Sequence, residues 1–130
     1  KYAWKFIGTF YSWGGDDPSG FDCSGICNEV SQAVGLTERS TDYTGQGFYN
    51  KFSDKIVKKG YKGCLVFYGK DTNNITHIEM CIDDVHSIGA SGGGSKVITK
   101  EDAIKYNAFV KIRPFNSRKD IVAFVDPFLK

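Results

Sequence analysis

The sequence predicts one α+β domain in which N-terminal helices pack on a central antiparallel β-sheet. Its 130 residues, 41% of them hydrophobic, suffice for one core of ordinary size and are too few for two. Apolar residues recur with the helical period in the first half, whereas the second half has short β-rich runs separated by Gly, Asn and Asp. Helices followed by strands are typical of the α+β class. We therefore assign residues 1–130 to a single domain.

The best-defined helix of the first half covers residues 23–34. Its apolar positions follow the i, i+4, i+7, i+8 pattern, with Asp22 available as the N-cap and Gly35 as the C-terminal stop. Residues 1–11 also have apolar side chains at helical spacing and predict a shorter helix. The intervening residues 11–20 have the composition of a loop.

The rest of the chain predicts a connection, a short helix and then the sheet. Residues 43–49 are polar and aromatic and suggest a connecting segment, while Phe52, Ile56 and Val57 suggest a short helix. The β-rich runs predict four strands, at residues 64–68, 75–82, 87–90 and 108–112. Two further segments begin like capped helices, at residues 99–104 and 117–125.

Charge and composition exclude several classes of function. The net charge of +2 is too small to indicate a nucleic-acid partner or an anionic membrane. No stretch approaches the roughly 18 apolar residues that a membrane span needs. The chain begins at Lys1 without a Met, so we expect it to be a processed or excised piece of a longer polypeptide.

The scarce reactive groups are four cysteines and two histidines. Their spacing matches neither the paired Cys-x-x-Cys nor the His pattern of a zinc site, so no metal or cofactor is expected. Cys27, Cys64 and Cys81 lie in apolar runs, where a free thiol packs as a small hydrophobic side chain. The even number of cysteines leaves a disulfide open as an alternative.

Cys23 differs from the other cysteines because it falls at the predicted start of a helix. Unpaired N–H groups and the helix dipole favour a thiolate there, which predicts a lowered pKa and a nucleophile. A base is also needed, and strand alternation places His77 and Glu79 on one face, with Ile78 and Met80 on the other. A helix-borne Cys beside a strand-borne His is the papain-type arrangement. The alternative is a buried thiol and an unrelated surface histidine.

Four segments in order resemble the successive motifs of the NlpC-type peptidoglycan cysteine peptidases. They read Tyr-Ser-Trp-Gly-Gly at residues 11–15, Gly-Phe-Asp-Cys-Ser-Gly at 20–25, Gly-Cys-Leu-Val-Phe-Tyr-Gly at 63–69 and Thr-His-Ile at 76–78. The resemblance implies a compact papain-like fold. It also implies that Cys23 is the nucleophile, that His77 is the general base and acid, and that the Tyr11 hydroxyl approaches the catalytic centre.

Four residues are candidates for the walls of the substrate-binding cleft: Trp13, Asp22, Ser24 and Gly89. Trp13 equally suits a place at the edge of the core, and Asp22 suits an N-cap better than a catalytic acid. The backbone N–H of Cys23, at the helix start, is a natural donor to an oxyanion.

The chain departs from the family pattern at two positions. Cys64 replaces the aspartate of the Gly-Asp-Leu-Val-Phe motif, which we expect to change packing and not chemistry. Gly89 falls where relatives commonly have a third polar residue, a His, and a glycine cannot orient an imidazole. Glu79 and His86 are the local candidates for a third catalytic member. His86 suits a solvated turn, and residues two apart on a strand usually stand side by side without bonding, so a water, a backbone carbonyl or a bare dyad stays open.

The predicted function is a cysteine endopeptidase that cuts the peptide stems of bacterial peptidoglycan, which the resemblance places at the bond between D-glutamate and the diamino acid. We expect it outside the cell, in the cell envelope, or as part of a phage tail or a secreted polypeptide. One alternative is a catalytically impaired pseudoenzyme that binds wall peptides, motivated by Gly89. Another is an amidase or acyltransferase of the same fold.

Overall fold

A computed structural model describes residues 3, 5, 7–8, 16–17, 20–91, 101, 104–105 and 109–129. Within these residues, two α-helices pack on a six-stranded antiparallel sheet, which confirms the predicted α+β class. The helices are α1, Cys23–Ala33, and α2, Gly45–Phe52. None of the described helices is long and apolar enough to cross a membrane.

Helix α1 begins and ends where the sequence predicts. The Asp22 side chain accepts a hydrogen bond of 2.6 Å from the backbone N–H of Gly25, so it is the N-cap. The helix stops at Val34, and Gly35 follows with a φ of 77°, a left-handed conformation that glycine adopts without steric cost. Ile26 and Cys27 are fully buried on the face that meets the sheet.

Helix α2 corrects the prediction for the middle of the chain, where a connection was expected over residues 43–49. Thr44 caps the helix by accepting a hydrogen bond of 3.0 Å from the Gly47 backbone, and Phe48 and Phe52, four residues apart, are buried. Ile56–Val57 then forms a strand, β3, and not the short helix that their spacing suggests. Two apolar residues satisfy either period, so the pairing with another strand decides.

The strands form one sheet in the order β3-β8-β4-β5-β6-β7, together with a small separate ribbon. The ribbon pairs β1, Asp16–Asp17, with β2, Gly20–Phe21, just before α1. The strands of the main sheet after β3 are β4, Leu65–Gly69; β5, Ile75–Cys81; β6, His86–Ser91; β7, Phe109–Pro114; and β8, Ile121–Val125.

Strand β8 overturns the prediction of a helix over residues 117–125. Ile121 and Phe124 have helical spacing, but the segment pairs with β4 on one side and β3 on the other. Its β-branched and aromatic residues suit a half-buried pleated surface, and the sheet supplies backbone partners that a helix pattern cannot foresee. The predicted helix at residues 1–11 lies largely outside the described residues, and within the predicted helix at residues 99–104 the described residues 101 and 104 are helical.

Alternation along the central strands separates the two sides of the sheet. Leu65, Phe67 and Ile78 belong to the core that α1 and α2 cover. Tyr68 and His77, which lie opposite each other on β4 and β5, face the other side. The predicted division of β5 into an apolar face toward a helix and a polar face is therefore confirmed.

Candidate active site

His77 and Glu79 are bonded to each other on strand β5. The Nε2 atom of His77 lies 2.6 Å from Oε2 of Glu79, and the two residues are 6% and 0% exposed. The expectation that residues two apart on a strand stand side by side without bonding is wrong here. Both side chains project from the same face, and the length of the glutamate lets its carboxylate turn toward the ring. The carboxylate thereby sets the orientation of the imidazole.

The Glu79 carboxylate has two further donors, one on each of the next two strands. Ser87 on β6 donates its hydroxyl to Oε1 at 2.7 Å, and Arg113 on β7 donates an Nη2–H to Oε2 at 2.8 Å. Burial, the largest effect, raises the pKa of Glu79. The hydrogen bonds from His77 and Ser87 and the charges of His77 and Arg113 lower the pKa, and their sum exceeds the effect of burial. The pKa of Glu79 is therefore about 2. Glu79 is therefore an ionised, fully buried carboxylate at neutral pH.

Gly89 lies beside this carboxylate. The register that pairs Met80 with Ile88 sets Gly89 opposite Glu79, and a Cβ on Gly89 would come within 2.6 Å of the Glu79 Cγ. Real Cβ atoms essentially never approach that closely. Gly89 is itself buried, so the residue assigned to a substrate-binding wall is placed beneath the Glu79 side chain. Its lack of a side chain gives Glu79 the space that it occupies.

Cys23 is the first residue of α1, and α1 packs against β5 and β6. A backbone hydrogen bond from Ile78, the residue after His77, reaches the Cys23 thiol. The start of α1 therefore lies against β5 at Ile78, the residue that follows His77.

The prediction that the helix start lowers the pKa of Cys23 is wrong for the resting thiol. Burial, the largest effect, raises its pKa to about 11. Backbone hydrogen bonds from Ile78 and Ser24 lower it, and the negative charges of Asp22 and Glu79 raise it. The thiol is therefore protonated at neutral pH.

The hydrogen bond to Glu79 also defines the chemistry of the histidine ring. A carboxylate accepts hydrogen bonds, so the neutral imidazole carries its proton on Nε2 and leaves Nδ1 unprotonated. The Tyr68 ring packs against the imidazole, with centroids 5.4 Å apart, and the Tyr68 hydroxyl is held by a 2.6 Å hydrogen bond to the Phe115 carbonyl. The Arg118 guanidinium lies over the Tyr68 ring, 4.9 Å from its centroid. The histidine is thus fixed from two sides.

The other predicted site residues fall into three groups. Asp22 accepts hydrogen bonds from Gly25 and, at 3.3 Å, from the Ser24 hydroxyl, so Asp22 caps the first turn of α1 and Ser24 lies within that turn. His86 has its Nδ1 at 3.1 Å from Asp83 in the turn before β6 and makes no contact with His77. Tyr11 and Trp13 lie outside the described residues.

Sequence reasoning missed Ser87 and Arg113. Both carry signals, since Ser87 is a polar residue within a β-rich run and Arg113 follows the apolar run of β7. The missing information was the register, because Ser87 lies opposite Arg113 only once β6 and β7 are paired. Among the described residues, no cluster of three or more His, Cys, Asp or Glu is arranged to hold a metal ion. The remaining thiols are buried and free, as predicted: Cys27, Cys64 and Cys81.

The fold and the site together define a papain-like domain, in which a cysteine at a helix start lies against a strand that carries a buried histidine. A solved structure, the NlpC/p60 domain of the peptidoglycan hydrolase SagA, aligns with 95% of this chain and 91% of that one, with a TM-score of 0.67 and 27% identity. The NlpC/P60 family model matches residues 8–113. The chain belongs to the NlpC/P60 family, as the four motifs predicted.

Two of the curated relatives that the chain matches are named as peptidases. The bifunctional muramidase/DL-endopeptidase CwlT of Bacillus subtilis is 32% identical over 97 residues, which cover 72% of this chain and 29% of CwlT. The probable endopeptidase p60 of Listeria seeligeri is 32% identical over 94 residues, which cover 72% of this chain and 17% of p60. The chain thus spans less than a third of these relatives. Their names agree with the predicted class, a peptidase.

Proposed function

We propose that the chain is a cysteine endopeptidase that hydrolyses the peptide stems of bacterial peptidoglycan, with Cys23 as nucleophile and His77 as general base and acid. One observation carries the proposal: Glu79 fixes the His77 ring on the strand whose next residue, Ile78, hydrogen-bonds the Cys23 thiol. A nucleophile, a base and a group that orients the base are the parts that covalent catalysis requires.

In the proposed reaction, His77 Nδ1 accepts the thiol proton as Cys23 Sγ attacks the carbonyl carbon of the scissile amide. The backbone N–H groups at the start of α1 stabilise the oxyanion of the tetrahedral intermediate. His77 then gives its proton to the leaving nitrogen, the C–N bond breaks and a thioester remains. A water, deprotonated by His77, hydrolyses the thioester and restores the thiol.

The raised pKa of Cys23 explains why the histidine is needed. A thiol with a pKa of about 11 contributes little thiolate at neutral pH. The buried Glu79 carboxylate stabilises the imidazolium that forms when the proton moves, so the charge pair is favoured at the moment of attack.

The bond between D-glutamate and the diamino acid is the proposed site of cleavage. The name of CwlT, a DL-endopeptidase, supports cleavage between a D- and an L-configured residue. The proposed place of action is the cell wall, reached from outside the cell or within the envelope. An association with a phage tail stays a prediction.

The test is the release of new amino groups from purified peptidoglycan. We expect release by the unmodified chain and a loss of at least about 10²-fold in Cys23→Ala and His77→Ala. His86→Gln is the matched control, because His86, the first residue of β6, contacts Asp83 and is not part of the proposed site, and it should retain full activity. Mass spectrometry of the products identifies the bond cut and separates an endopeptidase from an amidase. Binding to the wall without release by any of the proteins would support the pseudoenzyme.

A further inference from the structure

We infer that Glu79 is the positioning residue for His77 and that Ser87, Arg113 and the absence of a side chain at Gly89 together hold its carboxylate in place. The catalytic meaning of this arrangement rests on the proposed function. The arrangement itself rests on the geometry of three neighbouring strands, β5, β6 and β7.

The first step concerns the histidine tautomer. A free imidazole places its proton on either nitrogen, and only the form with Nδ1 unprotonated can take the Cys23 proton through that atom. The 2.6 Å contact between Nε2 and the Glu79 carboxylate selects this form. Glu79 touches neither substrate nor thiol in this role and acts through His77.

The second step concerns the charge of the carboxylate. A buried unpaired carboxylate is costly and takes up a proton, which would turn it from an acceptor into a donor. Arg113 supplies a positive charge on the same oxygen that His77 contacts, and Ser87 bonds the other oxygen. Other charged or titratable groups face this pair: the Cys23 thiol at α1 interacts with the Glu79 charge, Tyr68 on β4 and Asp120 before β8 interact with His77, and Arg118 lies over the Tyr68 ring. Asp120 is itself paired with Arg118 at 2.7 Å, which leaves Arg113 as the partner of the buried carboxylate.

The third step concerns space. A methyl group at residue 89 would overlap the Glu79 Cγ at 2.6 Å and approach Cδ at 3.0 Å. Both strands are packed in the sheet, so the Glu79 side chain would have to move. The movement would break its hydrogen bond to His77. A side chain built from residue 89 points into the volume that the Glu79 carboxylate fills. This geometry suggests that the carboxylate can be supplied from β6 instead.

The experiment measures the His77 ring nitrogens by ¹⁵N NMR and, in parallel, wall hydrolysis as a function of pH. In the unmodified chain we expect the Nε2–H tautomer. Glu79→Ala should abolish the tautomer preference and lower kcat by about 10²- to 10⁴-fold with a smaller effect on KM. Glu79→Gln keeps an acceptor without the charge, so it should retain the tautomer and part of kcat. It should also change the pH profile of hydrolysis, because the carboxylate beside the imidazole loses its charge.

Gly89→Ala tests the space by itself and should reproduce the loss seen in Glu79→Ala. The double variant Glu79→Ala/Gly89→Asp, which places a carboxylate from β6, should restore tautomer and rate in part. Ser87→Ala removes one of the three hydrogen bonds of the Glu79 carboxylate and replaces Glu79→Ala in the test if that variant does not fold.

An unchanged tautomer and an unchanged pH profile in Glu79→Ala, or in Ser87→Ala and Gly89→Ala if that variant does not fold, would overturn the inference. If the unmodified chain hydrolyses no wall peptide while the tautomer still follows Glu79, the proposed function fails and the positioning role stands. If the unmodified chain hydrolyses wall peptides but the tautomer is the same in Glu79→Ala, the positioning role fails and the proposed function stands.

Discussion

At the residue scale, Cys23 shows how strongly a reactive group depends on its surroundings. Its place at a helix start favours a thiolate, whereas its burial favours the thiol, and burial is the larger effect because it raises the pKa to about 11. The thiol of Cys23 is therefore protonated in the resting structure. In the proposed mechanism, reactivity at neutral pH depends on the transfer of that proton to His77.

This dependence can be measured by alkylation with iodoacetamide, followed for each cysteine by mass spectrometry. Cys23 should react faster at pH 7 than the buried Cys27, Cys64 and Cys81. In His77→Ala the alkylation rate of Cys23 at pH 7 should be lower than in the unmodified chain. The rate should then increase with pH up to pH 10, because the thiol alone has a pKa of about 11. Equal rates for Cys23 with and without the histidine would show that no proton passes between them.

At the scale of secondary-structure elements, the start of α1 has two tasks. The Asp22 cap stabilises the helix, and the same first turn carries Cys23 and the N–H groups of the proposed oxyanion site. Helix α2 begins with a comparable cap at Thr44 and carries none of the proposed catalytic residues. The two caps are a natural pair for separating stability from function.

Asp22→Ala and Thr44→Ala should each lower the free energy of unfolding by about 1 kcal/mol, measured by urea denaturation. Asp22→Ala should also reduce wall hydrolysis, since fraying of the first turn displaces Cys23. Thr44→Ala should leave hydrolysis unchanged. Equal activity in the two variants would show that the Asp22 cap does not position Cys23 for catalysis.

The elements also differ in how far their sequence defines them. Helix α1 has a cap, a stop and eleven residues, and each of these signals is local, so its bounds were predictable. Strand β8 has five residues whose apolar positions satisfy two periods. Its conformation follows from pairing with β4 and β3, which are distant in sequence, and so it was mistaken for a helix.

At the scale of the whole molecule, the sheet buries an ionised carboxylate, and the stability of the fold must therefore depend on pH. The pKa of Glu79 is about 2 in the folded chain, below its ordinary value of 4.5. A lowered folded-state pKa contributes stability that is complete above the ordinary value and is lost as pH falls through the folded one. The loss belongs to the window between about pH 5 and pH 2.

We expect this group to account for about 3 kcal/mol of the fall in unfolding free energy between pH 7 and pH 2. Glu79→Gln does not titrate, so its stability deficit relative to the unmodified chain should shrink as the pH falls through this window. Urea titrations of both proteins at several pH values provide the measurement. A deficit that stays constant with pH would mean that the carboxylate is protonated in both states or ionised with an ordinary pKa.

The sequence by itself determined the α+β class, the capped helix at Cys23, the two faces of β5 and the membership of the NlpC/P60 family. Each of these rests on local periodicity or on the order of short motifs. The tertiary structure decided what surrounds His77: the bond to Glu79, the donors Ser87 and Arg113, and the space left at Gly89. These groups meet only through the registers of β5, β6 and β7. Register and burial arise from contacts between residues far apart in the chain, and those contacts also set the pKa values of the buried thiol and carboxylate.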